Sequence, residues 1–135
     1  MEKTLAQIIK HVGLPSGKII VQPLDKNNIP NCKGPRYHID YTSDLVRMSF
    51  IHDPVNKLSY KGYFESVMRY QGYGSKLVKA RELFSEGIKY IVITHNTVPK
   101  FWEKMQYLPA PREIIKHKAI RALSPLAKPM YKKLY

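Results

Sequence analysis

Cysteine, long apolar runs and acidic residues are all scarce in this 135-residue chain. Cys32 is the only cysteine, which excludes an internal disulfide and a cysteine-based metal cluster. No stretch of about 18 uninterrupted apolar residues occurs, so the sequence predicts no membrane span. The N-terminal segment MEKTLAQIIKHV lacks the solid apolar block of a signal peptide. We therefore expect a cytoplasmic protein without a membrane partner.

The scarcity of acidic side chains leaves the chain strongly basic. Lysine and arginine number 23 against 10 aspartates and glutamates, which gives a formal net charge of +13. The excess is densest in residues 112–135, where Glu113 is the single acidic residue. This balance favours polyanionic partners, such as nucleic acid bound by the C-terminal segment, and it also suits a phosphate-rich cofactor. A solvated basic surface with no specific partner is the alternative.

Hydrophobic periodicity in the first half predicts a short helix followed by strands. Residues 5–12 repeat at helical spacing before Gly13, whereas residues 18–21, 37–41, 45–51 and 58–67 have strand-like patterns. The last two strands are expected to be antiparallel neighbours. In residues 58–67 we expect Tyr60 and Phe64 on one face of the strand, and Tyr63 and Glu65 on the other. Residues 23–35 are rich in proline and asparagine, which predicts a long loop.

The second half of the chain alternates helices with strands. Residues 77–84 have helical periodicity, and we expect Ser75 to cap this helix and Gly87 to end it. Tyr90–Thr94 is an almost wholly apolar strand, and Pro99 should lie within the first turn of another helix that runs through Met105. The order strand, glycine loop, helix, buried strand, helix is an α/β arrangement with parallel character. Residues 112–123 fit either helix or strand.

The segment Arg69–Lys76 (RYQGYGSK) has the pattern of a phosphate-binding loop. A strand that leads through glycines into a helix leaves backbone N–H groups unpaired at the positive end of the helix dipole. Gly72 and Gly74 lack the Cβ atoms that would hold a phosphate away, and Arg69 and Lys76 can add charge. The spacing does not fit a Walker loop, and a dinucleotide fingerprint would need glycine at Leu77. Taken alone, the Gly-x-Gly pattern therefore indicates a simple tight turn, and a site for a different pyrophosphate is the alternative.

Two motifs in this half of the chain resemble those of one enzyme family. Arg69-x-x-Gly72-x-Gly74 resembles the Arg/Gln-x-x-Gly-x-Gly/Ala loop that cradles the coenzyme A pyrophosphate in the GNAT acyltransferase superfamily. Residues 96–107 (NTVPKFWEKMQY) resemble the second signature of that family, and residues 130–134 resemble its last strand. The resemblance spans residues 60–107 and implies a mixed, mostly antiparallel central sheet with a V-shaped splay, flanked by helices.

The resemblance also implies a domain organisation and an activity. Residues 1–135 would form a single domain, with 1–68 as a reduced acceptor-side half, 69–107 as the coenzyme A-binding region and 108–135 as a basic C-terminal segment. The activity would be an N-acetyltransferase that uses acetyl-CoA as acyl donor, with a small-molecule or protein amine as acceptor. The cofactor-binding residues it implies are Phe64, Arg69, Gln71, Gly72, Tyr73, Gly74, Ser75, Lys76, Asn96 and Trp102.

Three residues are candidates for catalysis. Glu65, beside the splay, and His95, after the buried strand, could each take a proton from the acceptor amine. By the resemblance, Asn96 would face the pantetheine arm or an ordered water. The alternative for Glu65 is an exposed carboxylate on a strand without a catalytic role. The alternative for His95 is a histidine whose ring nitrogens form hydrogen bonds with the local backbone. The histidines at positions 11, 38, 52 and 117 have no metal-ligand spacing, so no metal is predicted.

Two positions depart from the family pattern. Trp102 stands where many members have a tyrosine that protonates the leaving thiolate, and an indole N–H does not give up its proton. Gln106 replaces the usual glycine, which predicts a changed helix end. These departures leave two other functions open. One is a catalytically inactive, basic GNAT-fold protein that is structural or associated with nucleic acid, in a nucleoprotein or viral particle. The other is an unrelated α/β nucleotide binder.

Overall fold

The computed structural model describes residues 1–24, 35–66, 72–121, 123 and 126–135. Within these residues one sheet has the strand order β1-β2-β3-β4-β5-β7-β6. Its strands are β1 (Lys18–Leu24), β2 (Arg36–Thr42), β3 (Val46–Asp53), β4 (Leu58–Ser66), β5 (Tyr90–Ile93), β6 (Leu108–Pro109) and β7 (Met130–Lys133). The helices are α1 (Glu2–Val12), α2 (Tyr73–Phe84), α3 (Pro99–Lys104), α4 (Arg112–Ile115) and α5 (Lys118–Arg121).

Every strand pairing is antiparallel except that of β4 with β5, which is parallel. The protein therefore has an α+β fold with a mostly antiparallel sheet, and this part of the prediction is confirmed. Strand β1 extends through Pro23 and Leu24, which the sequence analysis assigned to the loop of residues 23–35. Residues 25–34 of that loop, Cys32 among them, lie outside the described residues.

The sheet carries apolar clusters on both faces. On the front face, α1 and α2 pack Leu5, Ile9, Leu77 and Phe84 against side chains of β2 and β3 such as Phe50. On the rear face, α4 and α5 pack Ile114, Ala119 and Ile120 against Ile51, Leu58, Tyr60 and Val92. Phe50 and Ile51 are consecutive residues of β3 yet belong to different clusters, because successive strand side chains point to opposite faces. Residues 112–121 thus form two short helices joined by a turn, which agrees with the helical one of the two predicted alternatives.

A β-bulge interrupts the pairing of β4 with β3. Ser49 pairs with Tyr63 but Ile51 pairs with Tyr60, so Lys61 and Gly62 together lie opposite Phe50. Lys61 accordingly adopts a left-handed φ of 48°. An extra residue reverses the alternation of side chains beyond it. Tyr60 packs into the rear cluster and Phe64 against the front one, so the prediction that they share a face is wrong.

The pairing of β4 with β5 comprises two residue pairs. Leu58 pairs with Tyr90, and Ser59 pairs with Ile91. The bulge follows directly, and β4 then continues along β3 to Ser66. Because a bulge bends its strand and increases the local twist, β4 leaves β5 at this point.

Helix α3 ends in a Schellman motif without glycine. The Tyr107 N–H donates to the Trp102 carbonyl (2.9 Å) and the Gln106 N–H to the Glu103 carbonyl (2.9 Å). Gln106 has a left-handed φ of 69°, the conformation that normally selects glycine. Gln106 thus adopts a backbone conformation that glycine would adopt without strain, and the prediction of a changed helix end relative to the family stays a prediction.

Replacing Gln106 with glycine should stabilise the protein. The exposed glutamine side chain would be lost, while the left-handed conformation would no longer cost about 1 kcal/mol. We expect the free energy of unfolding, measured by urea denaturation, to rise by about 0.5–1 kcal/mol. The control is Glu103→Gly, an exposed position inside the same helix, which should lose about 0.5–1 kcal/mol. A loss of stability in both variants would contradict this account.

Two features are absent from the described residues, namely a membrane-spanning helix and a cluster of metal ligands. None of the helices in this part of the chain has both the length and the apolar character needed to cross a membrane. Within the same residues, no three histidine, cysteine, aspartate or glutamate side chains lie close enough together to hold a metal ion.

Candidate functional site

A cleft of about 860 Å³ lies on the front face of the sheet, where β4 leaves β5. This volume falls within the range of about 300–1,000 Å³ that is typical of ligand sites. Strand β4 lines it with Gly62, Phe64 and Ser66, and Ile93 lines it from β5. The beginning of α2 and the residues from His95 to Lys104 complete the wall. The bulge therefore positions this cleft.

Helix α2 begins at the wall of the cleft. Gly72 is its N-cap, with a left-handed φ of 74°. The Lys76 N–H donates to the Gly72 carbonyl (3.2 Å), so the amides of Tyr73, Gly74 and Ser75 precede the first helical hydrogen bond. All of the residues from Gly72 to Ser75 line the cleft, and the first turn contains no acidic residue. The positive end of the helix dipole thus faces the cleft.

Ser75 has a different role from the predicted one. It is the third helical residue, and its Oγ donates a hydrogen bond back to the Gly72 carbonyl (3.0 Å). The prediction that Ser75 is the cap is therefore wrong. A left-handed N-cap needs a residue without Cβ strain, and Gly72 fulfils this requirement with open space around its α-carbon.

Aromatic rings form the apolar part of the wall. The centroid of Phe64 lies 5.5 Å from those of both Phe101 and Trp102, and the last two are 5.3 Å apart. Trp102 is 5% exposed and packs edge-on against Tyr107. A Cβ added at Gly74 would lie 3.3 Å from the Phe101 ring and 3.6 Å from Phe64. Glycine at position 74 thus allows α2 to begin directly against these rings.

The remaining predicted cofactor-binding residues are placed differently. Lys76 lines a separate groove with His11 and Lys79, and its Nζ lies 5.8 Å from the centroid of Tyr73. Arg69 and Gln71 lie outside the described residues. Lys104, which the sequence analysis did not single out, lines the cleft and supplies a positive charge there.

The three predicted catalytic residues do not come together. His95 is exposed and lines the cleft. Asn96 is buried, where its Oδ1 accepts a hydrogen bond from the Val98 N–H (3.0 Å) and helps to shape the turn that leads into α3. Glu65 is exposed on β4 opposite Arg47, and it does not line the cleft. Of these three residues, His95 is the one whose side chain lies at the cleft.

A second cavity, here called the rear cavity, has a volume of about 630 Å³. Gly62, Tyr63 and His95 line both the cleft and the rear cavity, so the two spaces meet at the bulge. Arg36 lines the rear cavity and is 1% exposed. Arg36 was not predicted as a site residue. It alternates along β2 with His38 and Asp40, and three polar residues at alternate positions are typical of a solvent-facing strand surface.

Comparisons with protein-family models and with curated proteins do not identify the function of the cleft. No protein-family model matches the chain. A search of curated proteins likewise finds no match to it.

Proposed function

We propose that the protein is a GNAT-type N-acetyltransferase that binds acetyl-CoA in the cleft and transfers the acetyl group to an amine. One observation carries the proposal. Helix α2 begins at a left-handed glycine with its first three amides at a cleft that opens where β4 leaves the parallel strand β5. Such a helix start binds phosphate groups through its unpaired N–H groups and its dipole.

The residues around the cleft fit the parts of acetyl-CoA. The segment from Gly72 to Ser75 would hold the pyrophosphate, with the charge of Lys104 nearby. From Gly62 to Phe64, β4 has passed the end of its pairing with β5, so backbone groups on that edge can pair with the amides of the pantetheine arm. Phe64, Phe101 and Trp102 would exclude water from the arm. Acetyl-CoA would supply an activated thioester.

The acceptor amine would lose its proton at the junction of the two cavities. An amine that attacks the thioester carbon forms the amide C–N bond as the C–S bond breaks, and coenzyme A leaves as the thiolate. His95 lines this junction and can accept the amine proton, directly or through water. A thiol has a pKa of about 8.5, so the thiolate can leave without the tyrosine that Trp102 replaces. Trp102 then acts as a wall of the site.

Replacing Ser75 with glutamate should abolish acetyl-CoA binding without unfolding the protein. Ser75 is exposed at the cleft, in the first turn of α2. A carboxylate there would repel the pyrophosphate, and we expect at least about 100-fold weaker binding in calorimetry. The same carboxylate interacts favourably with the helix dipole, so the free energy of unfolding should stay equal or rise by about 0.5 kcal/mol.

The matched control is Leu83→Glu. Leu83 is exposed on the same helix, outside the cleft, and the variant changes the net charge by the same amount. Its affinity for acetyl-CoA should match that of the unmodified protein. If both variants bind equally well, α2 does not hold the pyrophosphate. If ATP or GTP binds more tightly than acetyl-CoA to the unmodified protein, the cleft belongs to a nucleotide binder.

A second candidate function, association with nucleic acid, is favoured by the basic C-terminal segment. Its exposed basic side chains are Arg112, Lys116, Lys118, Arg121, Lys128 and Lys133. Lys132 is committed to an ion pair with Glu82 (2.9 Å). A protein that binds through such a surface loses affinity steeply as salt rises. Salt-sensitive binding of nucleic acid together with no binding of acetyl-CoA would favour this function over the transferase.

A further inference from the structure

A buried guanidinium group, that of Arg36, lines the rear cavity. Arg36 is 1% exposed, and its Nε, Nη1 and Nη2 atoms have no hydrogen-bond partner among the described residues. Buried charges in proteins are normally paired, because removing a charge from water costs several kcal/mol. A buried arginine that lines a cavity in this state is therefore a candidate ligand for an anion.

The neighbouring acidic residue already has its own partners. Asp53 is buried, and its carboxylate accepts hydrogen bonds from the Asn56 N–H (3.1 Å), the Asn56 Nδ2 (2.9 Å) and the Tyr60 hydroxyl (3.1 Å). Arg36 lies beside Tyr60, and its charge together with a polar contact to the Tyr60 hydroxyl opposes the rise in pKa that burial causes, although this contact falls outside strict hydrogen-bond geometry. Asp53 therefore does not neutralise Arg36 through a direct contact.

The other titratable residues of the rear cavity add no negative charge. His38 lines it from β2, Lys61 from the bulge, and His95 from the junction with the cleft. No aspartate or glutamate belongs to its described lining. The cavity thus favours an anion, and the planar guanidinium fork of Arg36 matches the two oxygens of a carboxylate. Lys61 is exposed and Arg36 is the buried cation of this lining, so one carboxylate would neutralise the buried charge, whereas a phosphate dianion would exceed it.

We propose that the rear cavity binds a carboxylate of the acceptor, with Arg36 as its ligand, and that the acceptor is an amino acid or peptide that carries both an amine and a carboxylate. This inference rests on the proposed transferase function, because it places the acceptor amine at Gly62, Tyr63 and His95, beside the acyl group in the cleft. Arg36 would act as a specificity-determining residue, remote from the reacting atoms.

The test compares acceptors whose amines have closely matched pKa values. The amide-capped dipeptides Ala-Glu, Ala-Gln and Ala-phosphoserine differ in the side-chain charge one residue away from the amine. Turnover is measured as the release of coenzyme A. We expect kcat/KM for Ala-Glu to exceed that for Ala-Gln by about 10- to 100-fold. Arg36→Gln should abolish this preference, and Arg36→Lys should restore part of it, while acetyl-CoA affinity stays unchanged in both variants.

Direct calorimetry of the same peptides, without acetyl-CoA, provides a readout that does not need turnover. Ala-Glu should bind to the unmodified protein and about 10- to 100-fold less tightly to Arg36→Gln. Equal binding of Ala-Glu and Ala-Gln would overturn the inference even where acetyl-CoA binds normally. A preference for phosphoserine would overturn the assignment to a carboxylate. Absence of acetyl-CoA binding, with Ala-Glu binding retained, would overturn the transferase function and leave the anion site standing.

Discussion

Replacing Gly62 with alanine is expected to lower the free energy of unfolding by about 1–3 kcal/mol and to weaken acetyl-CoA binding by the molecules that remain folded. A Cβ at this position would lie 2.6 Å from the Ser49 carbonyl oxygen and 2.9 Å from Nη1 of Arg81. The first contact is with backbone of the neighbouring strand, which cannot move without disturbing the sheet. The bulge would therefore distort, and the bulge is where β4 leaves β5 to open the cleft.

Gly17→Ala is the matched control for this effect. A Cβ at Gly17 would lie 2.4 Å from the Thr42 carbonyl oxygen, again a contact with backbone, but Gly17 precedes β1 and does not line the cleft. Urea denaturation should show that both variants are destabilised. Calorimetry at a temperature where both are folded should show weaker acetyl-CoA binding for Gly62→Ala alone. Equal affinities in the two variants would mean that the bulge does not shape the site.

Replacing Arg36 with methionine should raise the free energy of unfolding, by about 1–4 kcal/mol. Methionine fills a similar volume without a charge, so the variant removes the cost of burying a guanidinium that has no hydrogen-bond partner among the described residues. The carboxylate of Asp53 keeps its hydrogen bonds from Asn56 and Tyr60. Replacing a residue of a binding site often raises the stability of the protein, because such residues are retained for function at a cost in stability.

Arg81→Met provides the contrast that makes this result interpretable. Arg81 is also buried, but its Nε donates to Ser59 Oγ (2.9 Å) and its guanidinium lies 5.0 Å from the Phe50 ring centroid. Burial lowers the pKa of Arg81 to about 10, yet these contacts hold the side chain between α2 and the sheet. Urea denaturation should show Arg81→Met destabilised by about 1–3 kcal/mol and Arg36→Met stabilised. A loss of stability in Arg36→Met would show that the guanidinium has a structural partner, and the anion site would lose its main support.

Local rules were sufficient for most of the secondary structure. The apolar spacing of α1 and its end at Gly13, the short apolar strand β5, and the position of Pro99 in the first turn of α3 all followed from periodicity and from proline and glycine positions. The helix start at Gly72 and Gly74 was also predictable from the sequence, because the unpaired amides at the start of a helix belong to the backbone and do not depend on tertiary contacts. Sequence reasoning therefore located one wall of the cleft before the fold was known.

The bulge could not be read from the sequence in the same way. An extra residue in β4 depends on how Lys61 and Gly62 pack against Phe50 of another strand, and no periodic pattern reports it. Because the sequence prediction did not include the bulge, it placed Tyr60 on the same face of β4 as Phe64. The burial of Arg36 also depends on tertiary packing, since the segments that cover the rear face, α4 and α5, are far from Arg36 in the sequence. Both errors concern features that involve contacts between distant parts of the sequence.

Backbone amide spectra recorded during a titration with acetyl-CoA would show whether the beginning of α2 holds the pyrophosphate. We expect saturable shifts of the amide resonances of Gly72, Tyr73, Gly74 and Ser75, whose N–H groups precede or begin α2 at the cleft. Shifts at Gly62 and Phe64 should saturate together with them. Shifts confined to the basic residues 112–121, or no shifts at all, would contradict the account, because they would show that α2 does not bind the pyrophosphate.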